Sequence, residues 1–274
     1  MNVGRVLKQA VTGFNKNDLE SLSAGLAFYS VLSLAPLLVL LLAATESLSD
    51  QTSKLVIAQI NAFIGQSAAE GLALVMQSTR ELKSGGKIGL FGAVMMLIAA
   101  TMAFAHLRHT LNKVWQVNDS SSFMANWLLA RAASLVLASG IGLLLLVSMV
   151  ITAVQGYIFP ATGLWVLLNV GVSLFLNTLL FGFIFWLLPS ITIGWRDVAL
   201  GAVVTAVLFE FGKWAIGLYL NFADIGSLYG TAGSILVLLV WIYYASIVFF
   251  FGAEITYAYA VNYGSLREPE TSDL

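Results

Sequence analysis

The chain contains no cysteine and very few charged residues. Its 274 residues include 13 Lys and Arg, 14 Asp and Glu and 2 His, so charged residues make up 10% of the sequence and the formal net charge is −1. The lack of cysteine excludes disulfides, thiolate nucleophiles and cysteine-ligated metals. The small net charge argues against a nucleic-acid partner, which needs a basic surface. Soluble domains carry about 25% charged residues, so this scarcity indicates a membrane protein.

Long apolar runs make up most of the sequence, which is 59% hydrophobic with a mean hydropathy of +0.90. Six runs approach or exceed the ~20 residues that cross a hydrocarbon core as a helix. Continuous apolar runs exclude the alternating pattern of a membrane β-barrel. The predicted fold is therefore an all-α polytopic membrane protein, with one domain over 1–263 and a disordered polar tail over 264–274. The predicted spans are about 23–44, 88–106, 131–154, 164–188, 197–220 and 231–258.

The distribution of Lys and Arg predicts the orientation of these spans, because basic residues favour the cytoplasmic side. One side carries eight of them: Arg5, Lys8, Lys16, Arg108, Lys113, Arg131, Arg196 and Arg267. The other side carries Lys54, Arg80, Lys83 and Lys87, all within the long first loop. Both termini are therefore expected to be cytoplasmic.

Two segments outside the spans have amphipathic patterns. Apolar residues recur at helical spacing over 3–14, which predicts either an interfacial helix or a helix packed on the end of the bundle. The first loop, 45–87, is too long for a simple connection and contains two short apolar stripes. We expect two amphipathic helices in this extracytoplasmic loop.

Two charged residues lie inside the fifth apolar run, 197–220. Glu210 and Lys213 each cost roughly 2.5 to 3.5 kcal/mol at bilayer depth on insertion scales, unless they are paired or hydrated. They share one helical face with small residues, which predicts that this face points into the bundle. Because they are three residues apart, they can pair along the helix. Two interpretations stay open: the pair locks helix packing, or it belongs to a polar substrate pathway.

A polar stripe runs along the fourth span, 164–188, and contains Asn169, Ser173 and Asn177. Amide side chains need hydrogen-bond partners wherever water is absent. One interpretation is hydrogen bonding between helices, and the other is the wall of a hydrated cavity that faces Glu210.

The sixth span, 231–258, places Tyr243 and Glu254 on one helical face. Tyr243 lies near mid-span, where its hydroxyl needs a partner, and it is a candidate for the substrate pathway. Glu254 is expected near the cytoplasmic boundary, as an interfacial carboxylate or as the partner of Arg108 or Arg196.

Enzyme chemistry is not indicated by the sequence. His106 and His109 share a helical face, but the spacing provides no third metal ligand. Metalloprotease, hydrolase and phosphate-loop motifs are absent. We therefore expect no catalytic residue, no metal and no cofactor.

Three segments, taken together, resemble the YihY/BrkB family of bacterial inner-membrane proteins. They are LSAGLAFYSVLSLAPLLVLLLA (22–43), LRHTLNKVWQV (107–117) and YGTAGSILVLLVWIYYASIVFFFGAEITYAYA (229–260). The resemblance implies a six-helix inner-membrane protein with both termini cytoplasmic. It identifies motif positions without assigning roles to them: Pro36, Asn112, Trp241, Tyr243, Gly252 and Glu254.

The resemblance and the polar stripes lead to competing functional hypotheses. One member of that family is associated with serum resistance, another is linked to export of lipopolysaccharide precursors, and some carry an old ribonuclease label. The first hypothesis is transport of a lipid or other amphiphilic envelope component through a polar groove, with membrane lipids as partners. The second is a non-transporting scaffold for an envelope protein. A membrane nuclease is the third, and this chain lacks the basic patch and metal ligands that it would need.

Overall fold

The structure is a computed structural model and describes residues 2–45, 90–117, 163–223 and 231–267. All regular structure in these ranges is α-helical. The predicted span 131–154 and the predicted helices of the first loop lie outside the described residues.

Six helices form the described structure. They are α1 (Val3–Lys16), α2 (Leu19–Thr45), α3 (Leu90–Val114), α4 (Gly163–Leu187), α5 (Trp195–Ala223) and α6 (Thr231–Tyr263). Helices α2 to α6 coincide with five predicted apolar runs. The predicted end of the second run is too early for α3, which continues eight residues past 106, because Asn112 and Lys113 in its last turn bond to the connections that contain Ser190 and Asn17.

Three helices contain described segments that are long and apolar enough to cross a membrane. These segments are Val170–Leu187, Trp195–Ile216 and Leu236–Tyr263. Within the described residues, α2 adds a shorter apolar stretch, Leu19–Leu32. An all-helical membrane protein is thus confirmed, and the full set of six spans stays a prediction.

Helix α6 lies at the centre of the described bundle. It packs against α5, α2, α1 and α3, while α4 packs on α5 and α3 packs on α2. An aromatic cluster joins α4, α5 and α6, with the Phe185 and Phe249 rings 4.9 Å apart and the Phe181 and Phe209 rings 5.5 Å apart. This arrangement holds α4 and α5 side by side.

Helices α5 and α6 approach each other through a reciprocal contact of glycine and threonine. A side-chain carbon on Gly201 would overlap Thr256, and one on Gly252 would overlap Thr205. Each threonine donates its hydroxyl to the carbonyl of the glycine four residues earlier in its own helix. Small residues of this kind let two helix backbones come close in a membrane. Gly252 is therefore a packing residue.

The N-terminal helix predicted over 3–14 is present as α1, and it packs on the bundle. Val6 and Ala10 are buried against Ile255 and Ala258 of α6. On another face of α1, apolar side chains remain exposed: Val3, Leu7 and Val11. Contact of that exposed stripe with a membrane surface stays a prediction.

The start of the predicted polar tail is held to the bundle. Asp197, near the start of α5, is 5% exposed. Its Oδ2 atom accepts hydrogen bonds from the backbone N–H and the hydroxyl of Ser265, both at 2.7 Å. Residues 264–267 are therefore ordered by α5, and the rest of the predicted tail, 268–274, lies outside the described residues.

Candidate functional site

The polar stripes of α4 and α5 meet in one cluster. Lys213 and Glu210 form the ion pair that their spacing predicts, with Nζ 2.7 Å from Oε2 and 2.8 Å from Oε1. From α4, Ser173 donates its hydroxyl to Glu210 Oε1 at 2.5 Å, and Asn177 donates its amide to the same oxygen at 2.8 Å. We call these four residues the polar cluster.

The two oxygens of the Glu210 carboxylate have different numbers of partners in the polar cluster. Oε1 accepts from Ser173, Asn177 and Lys213, whereas the described contact of Oε2 is with Lys213. The Lys213 ammonium also lies 3.2 Å from the Ser173 hydroxyl oxygen. Hydrogen bonds to charged groups are shorter and stronger than neutral ones, so this network joins α4 firmly to α5.

The charged members of the polar cluster are mostly, but not fully, buried. The side chain of Lys213 is 13% exposed and that of Glu210 is 18% exposed. Asn177 behind them is 2% exposed. The two charges therefore retain access to the outside of the described helices, while the amide that positions Glu210 has almost none.

A cavity of about 360 Å³ lies between α2, α3, α4, α5 and α6. Twelve side chains line it: Leu26, Ser30, Ala103, Phe104, Leu107, Phe181, Ile184, Phe209, Ile242, Ala245, Ser246 and Phe249. Its wall is apolar apart from two serines. Sequence reasoning missed this cavity, because each helix contributes only one to four residues to it and most of these are ordinary apolar residues.

The cavity and the polar cluster share a boundary. Phe209 lines the cavity, and its ring centroid lies 5.9 Å from Lys213 Nζ. Phe181, also a lining residue, follows Asn177 by one helical turn and contacts Phe209 edge-on. A charged region and an apolar one therefore lie next to each other along the α4–α5 interface.

Four other residues that the sequence singles out are not members of the polar cluster. The side chains of Asn169 and Pro36 lie outside the described residues, although both positions are helical. Tyr243 is half-buried on α6. Trp241 contacts the Phe209 ring, with centroids 5.7 Å apart. Trp241 thus supports the cavity wall from behind.

Glu254 is a buried residue held by the N-terminal helix. It is 2% exposed, and its Oε1 accepts the side-chain amide of Asn17 at 2.7 Å. Gly13 of α1 packs directly on the carboxylate, so that a side-chain carbon there would overlap it. Among the described residues the hydrogen-bond partner of Glu254 is Asn17, not Arg108 or Arg196, and its place at the cytoplasmic boundary stays a prediction.

Asn112 ties α3 to the connection between α4 and α5. Its side chain accepts the Ser190 backbone N–H at 2.9 Å and donates to the Ser190 hydroxyl at 3.1 Å. Arg108 donates to the same hydroxyl at 2.9 Å. Asn112 therefore positions a connecting turn.

The two histidines take separate environments. His106 Nε2 lies 2.8 Å from the Leu22 carbonyl oxygen, and Gly25 leaves room for its ring against α2. His109 is exposed. Among the described residues, no group of three His, Asp or Glu side chains is close enough to hold a metal ion.

Comparisons with known proteins place the chain among membrane proteins. A family model described as "Virulence factor BrkB" matches residues 10–273. A UPF0761 membrane protein of Legionella pneumophila, lpg0643, is 25% identical over 272 residues, covering 94% of this chain and 63% of the relative. A UPF0761 membrane protein of Vibrio atlanticus is 27% identical over 259 residues, covering 88% of this chain and 78% of the relative.

A further relative carries a different kind of name. YfkH of Bacillus subtilis, named as ribonuclease-like, is 24% identical over 269 residues, covering 91% of this chain and 93% of the relative. No solved structure matches the chain. The chain spans only 63% of the length of the Legionella relative, so that protein contains additional sequence. It spans 48% of a UPF0761 membrane protein of Psychrobacter sp. that is 25% identical over 275 residues.

Proposed function

This chain belongs to the BrkB virulence factor family of membrane proteins, and from that premise we propose that it translocates a lipid or other amphiphilic envelope component. The polar cluster would contact the headgroup of this substrate. Membrane lipids would then be its partners.

The observation that carries this proposal is the contribution of α4 to the Glu210–Lys213 pair. Two charges three residues apart already neutralise each other along one helix. The hydrogen bonds from Ser173 and Asn177 extend the pair into a four-residue polar surface that spans two apolar helices. Ionisable residues inside apolar helices are rare and often mark substrate or ion pathways.

The chemistry of the polar cluster suits a headgroup that carries both charges. The Lys213 ammonium can face a phosphate, and the less occupied Oε2 of Glu210 can face an ammonium or hydroxyl group. Both charged side chains remain partly exposed, at 13% and 18%. This exposure is the access that a headgroup would need to reach both charges.

The proposed topology follows the distribution of basic residues. Both termini would be cytoplasmic in a bacterial inner membrane, with six spans and the first loop on the outer side. Asn112 and Arg108, which hold the α4–α5 connection, would then lie at the cytoplasmic end. The amphipathic first loop would present the substrate at the outer surface.

We propose no catalytic activity for this chain. The ribonuclease-like name belongs to YfkH, and RNA cleavage needs a basic surface and commonly a metal site. The purified protein should leave RNA intact with and without Mg²⁺. Cleavage that is retained by an independently purified preparation would contradict this part of the proposal.

The transport proposal is tested in proteoliposomes that contain a fluorescent phospholipid. Wild-type protein should accelerate exchange of the labelled lipid between leaflets, and the double variant Glu210→Leu with Lys213→Leu should abolish that acceleration. The control is Phe211→Leu, because Phe211 is 61% exposed on another face of the same helix. A double variant that folds and transports as well as the wild type would contradict the groove.

The scaffold alternative predicts a different outcome of the same experiment. No variant would change lipid exchange, because the wild-type protein would not accelerate it. Crosslinking within 45–87 would then recover an envelope protein partner.

A further inference from the structure

We propose that the cavity lined by helices α2 to α6 binds a single hydrocarbon chain of the substrate. This inference rests on the proposed function, because it assigns the second half of an amphiphile to a site beside the polar cluster. It also narrows the substrate class to amphiphiles that carry at least one hydrocarbon chain.

The chemistry of the cavity wall selects hydrocarbon. Ten of the twelve lining side chains are apolar, and three of these are phenylalanines of α4, α5 and α6, namely Phe181, Phe209 and Phe249. The Ser246 hydroxyl donates to the Ile242 carbonyl at 2.7 Å, within its own helix. The Ser30 side chain is also engaged. A cavity whose wall offers few polar partners does not hold ordered water and favours apolar ligands.

The size of the cavity selects one chain. A volume of about 360 Å³ lies at the lower end of the range of small-molecule sites, roughly 300 to 1,000 Å³. A water-sized group occupies about 30 Å³, and a methylene group is close to that size, so the cavity holds about a dozen methylene groups. That capacity fits one acyl chain of medium length, whereas two long acyl chains exceed it.

The cavity lies close enough to the polar cluster for one lipid to place its acyl chain in the cavity and its headgroup at the cluster. Phe209 lines the cavity and also lies beside the Lys213 ammonium, with 5.9 Å between Nζ and the ring centroid. Phe181 completes this boundary one turn after Asn177. An amphiphile whose headgroup contacts the polar cluster therefore has an apolar site within one helical turn.

Photolabelling tests this inference on the full chain in phosphatidylcholine vesicles. The probe is a phospholipid that carries a diazirine in the middle of one acyl chain, and labelled residues are mapped by mass spectrometry. We expect labels on cavity residues such as Phe104, Ile242 and Phe249, in addition to labels on exposed residues such as Phe211.

A matched pair of variants on α3 separates the cavity from the lipid-facing surface. Ala103 lines the cavity and Ala105, two residues later, is exposed. Ala103→Phe fills the cavity and should reduce its labelling by about tenfold, because several buried methylene contacts are lost. Ala105→Phe should leave cavity labelling unchanged. Ala245→Leu fills the cavity from α6 with a smaller side chain and should act in the same direction if Ala103→Phe does not fold.

The outcomes distinguish this inference from the proposed function. Absence of cavity labels in the wild type, or equal cavity labelling in all folded variants, would overturn the proposal that the cavity binds an acyl chain. Lost cavity labelling in Ala103→Phe would support it, even if the Glu210 and Lys213 double variant still transports lipid. If the double variant still transports lipid, the polar cluster does not bind the headgroup, but the cavity still binds an acyl chain.

Discussion

Asn177 on α4 donates its side-chain amide to Glu210 on α5 at 2.8 Å, from a position that is only 2% exposed. This bond fixes the carboxylate from behind while the side chain of Glu210 stays partly exposed. A buried donor that holds a charged group at the edge of a site is a common way to orient ligand-binding residues. The same bond also helps to set how α4 and α5 pack.

Removal of one charge of the polar cluster should cost more stability than removal of both. Lys213→Met leaves the Glu210 carboxylate without its cation, which costs about 3 kcal/mol when such a pair is mostly buried. Replacement of both charges by leucine removes the unpaired charge as well and should cost less, although the buried Asn177 amide then loses its acceptor. Thermal unfolding of purified protein in detergent provides the comparison. A double variant less stable than Lys213→Met would contradict the pairing.

Gly252→Ala should destabilise the contact between α5 and α6. The new methyl group would overlap Thr205, and overpacking of this kind typically costs about 1 to 3 kcal/mol. Gly171→Ala is the matched control, because a side-chain carbon on Gly171 has no neighbour within 4 Å. Unfolding curves of both variants measure the difference. Equal stability of the two variants would show that α5 and α6 do not approach this closely.

Asn17→Leu should release α1 from the bundle. The substitution keeps the size of the side chain but removes the amide that donates to the buried Glu254 carboxylate. Hydrogen bonds to charged groups contribute about 1.5 to 3 kcal/mol, so the opened state of α1 should become at least about tenfold more populated. Tryptic cleavage after Lys8 within α1 measures that population.

The control for this experiment is Thr12→Val on the same helix. The Thr12 hydroxyl bonds to the Lys8 carbonyl of its own helix and is exposed, so its removal should leave the cleavage rate nearly unchanged. Equal cleavage rates for Asn17→Leu and wild type would mean that Glu254 does not hold α1.

The sequence predicts the helices well, but the predicted runs stop four to eight residues short at the start of α2 and at the ends of α3 and α6. Apolar runs mark α2 to α6 because hydropathy follows burial in a hydrophobic environment. The helices continue past those runs wherever polar side chains find partners. Helix α3 extends beyond 106 because Asn112 and Lys113 reach Ser190 and the Asn17 carbonyl. These partners are distant in the sequence, so the local pattern of residues around α3 does not predict them.

The same distinction explains what sequence reasoning found at the site. The helical wheel predicts that Ser173, Asn177, Glu210 and Lys213 face inward, and the structure brings all four together. Their role as a substrate pathway stays a prediction. The contact of Glu254 with Asn17 joins residues 237 positions apart and depends on the path of α1. The cavity depends on five helices at once, so neither feature has a signal in a single segment.

The central claim is that the polar cluster lines a hydrated groove, and cysteine accessibility tests it most directly. The chain has no native cysteine, so a single Ser173→Cys variant reacts with a charged, membrane-impermeant thiol reagent on a clean background. Phe175→Cys is the matched control on α4, since Phe175 is 61% exposed on the outer face and should meet lipid. We predict rapid labelling of Ser173→Cys in proteoliposomes and little labelling of Phe175→Cys. Equally slow labelling at both positions would mean that the polar cluster is a dry structural lock, and the groove would have to be abandoned.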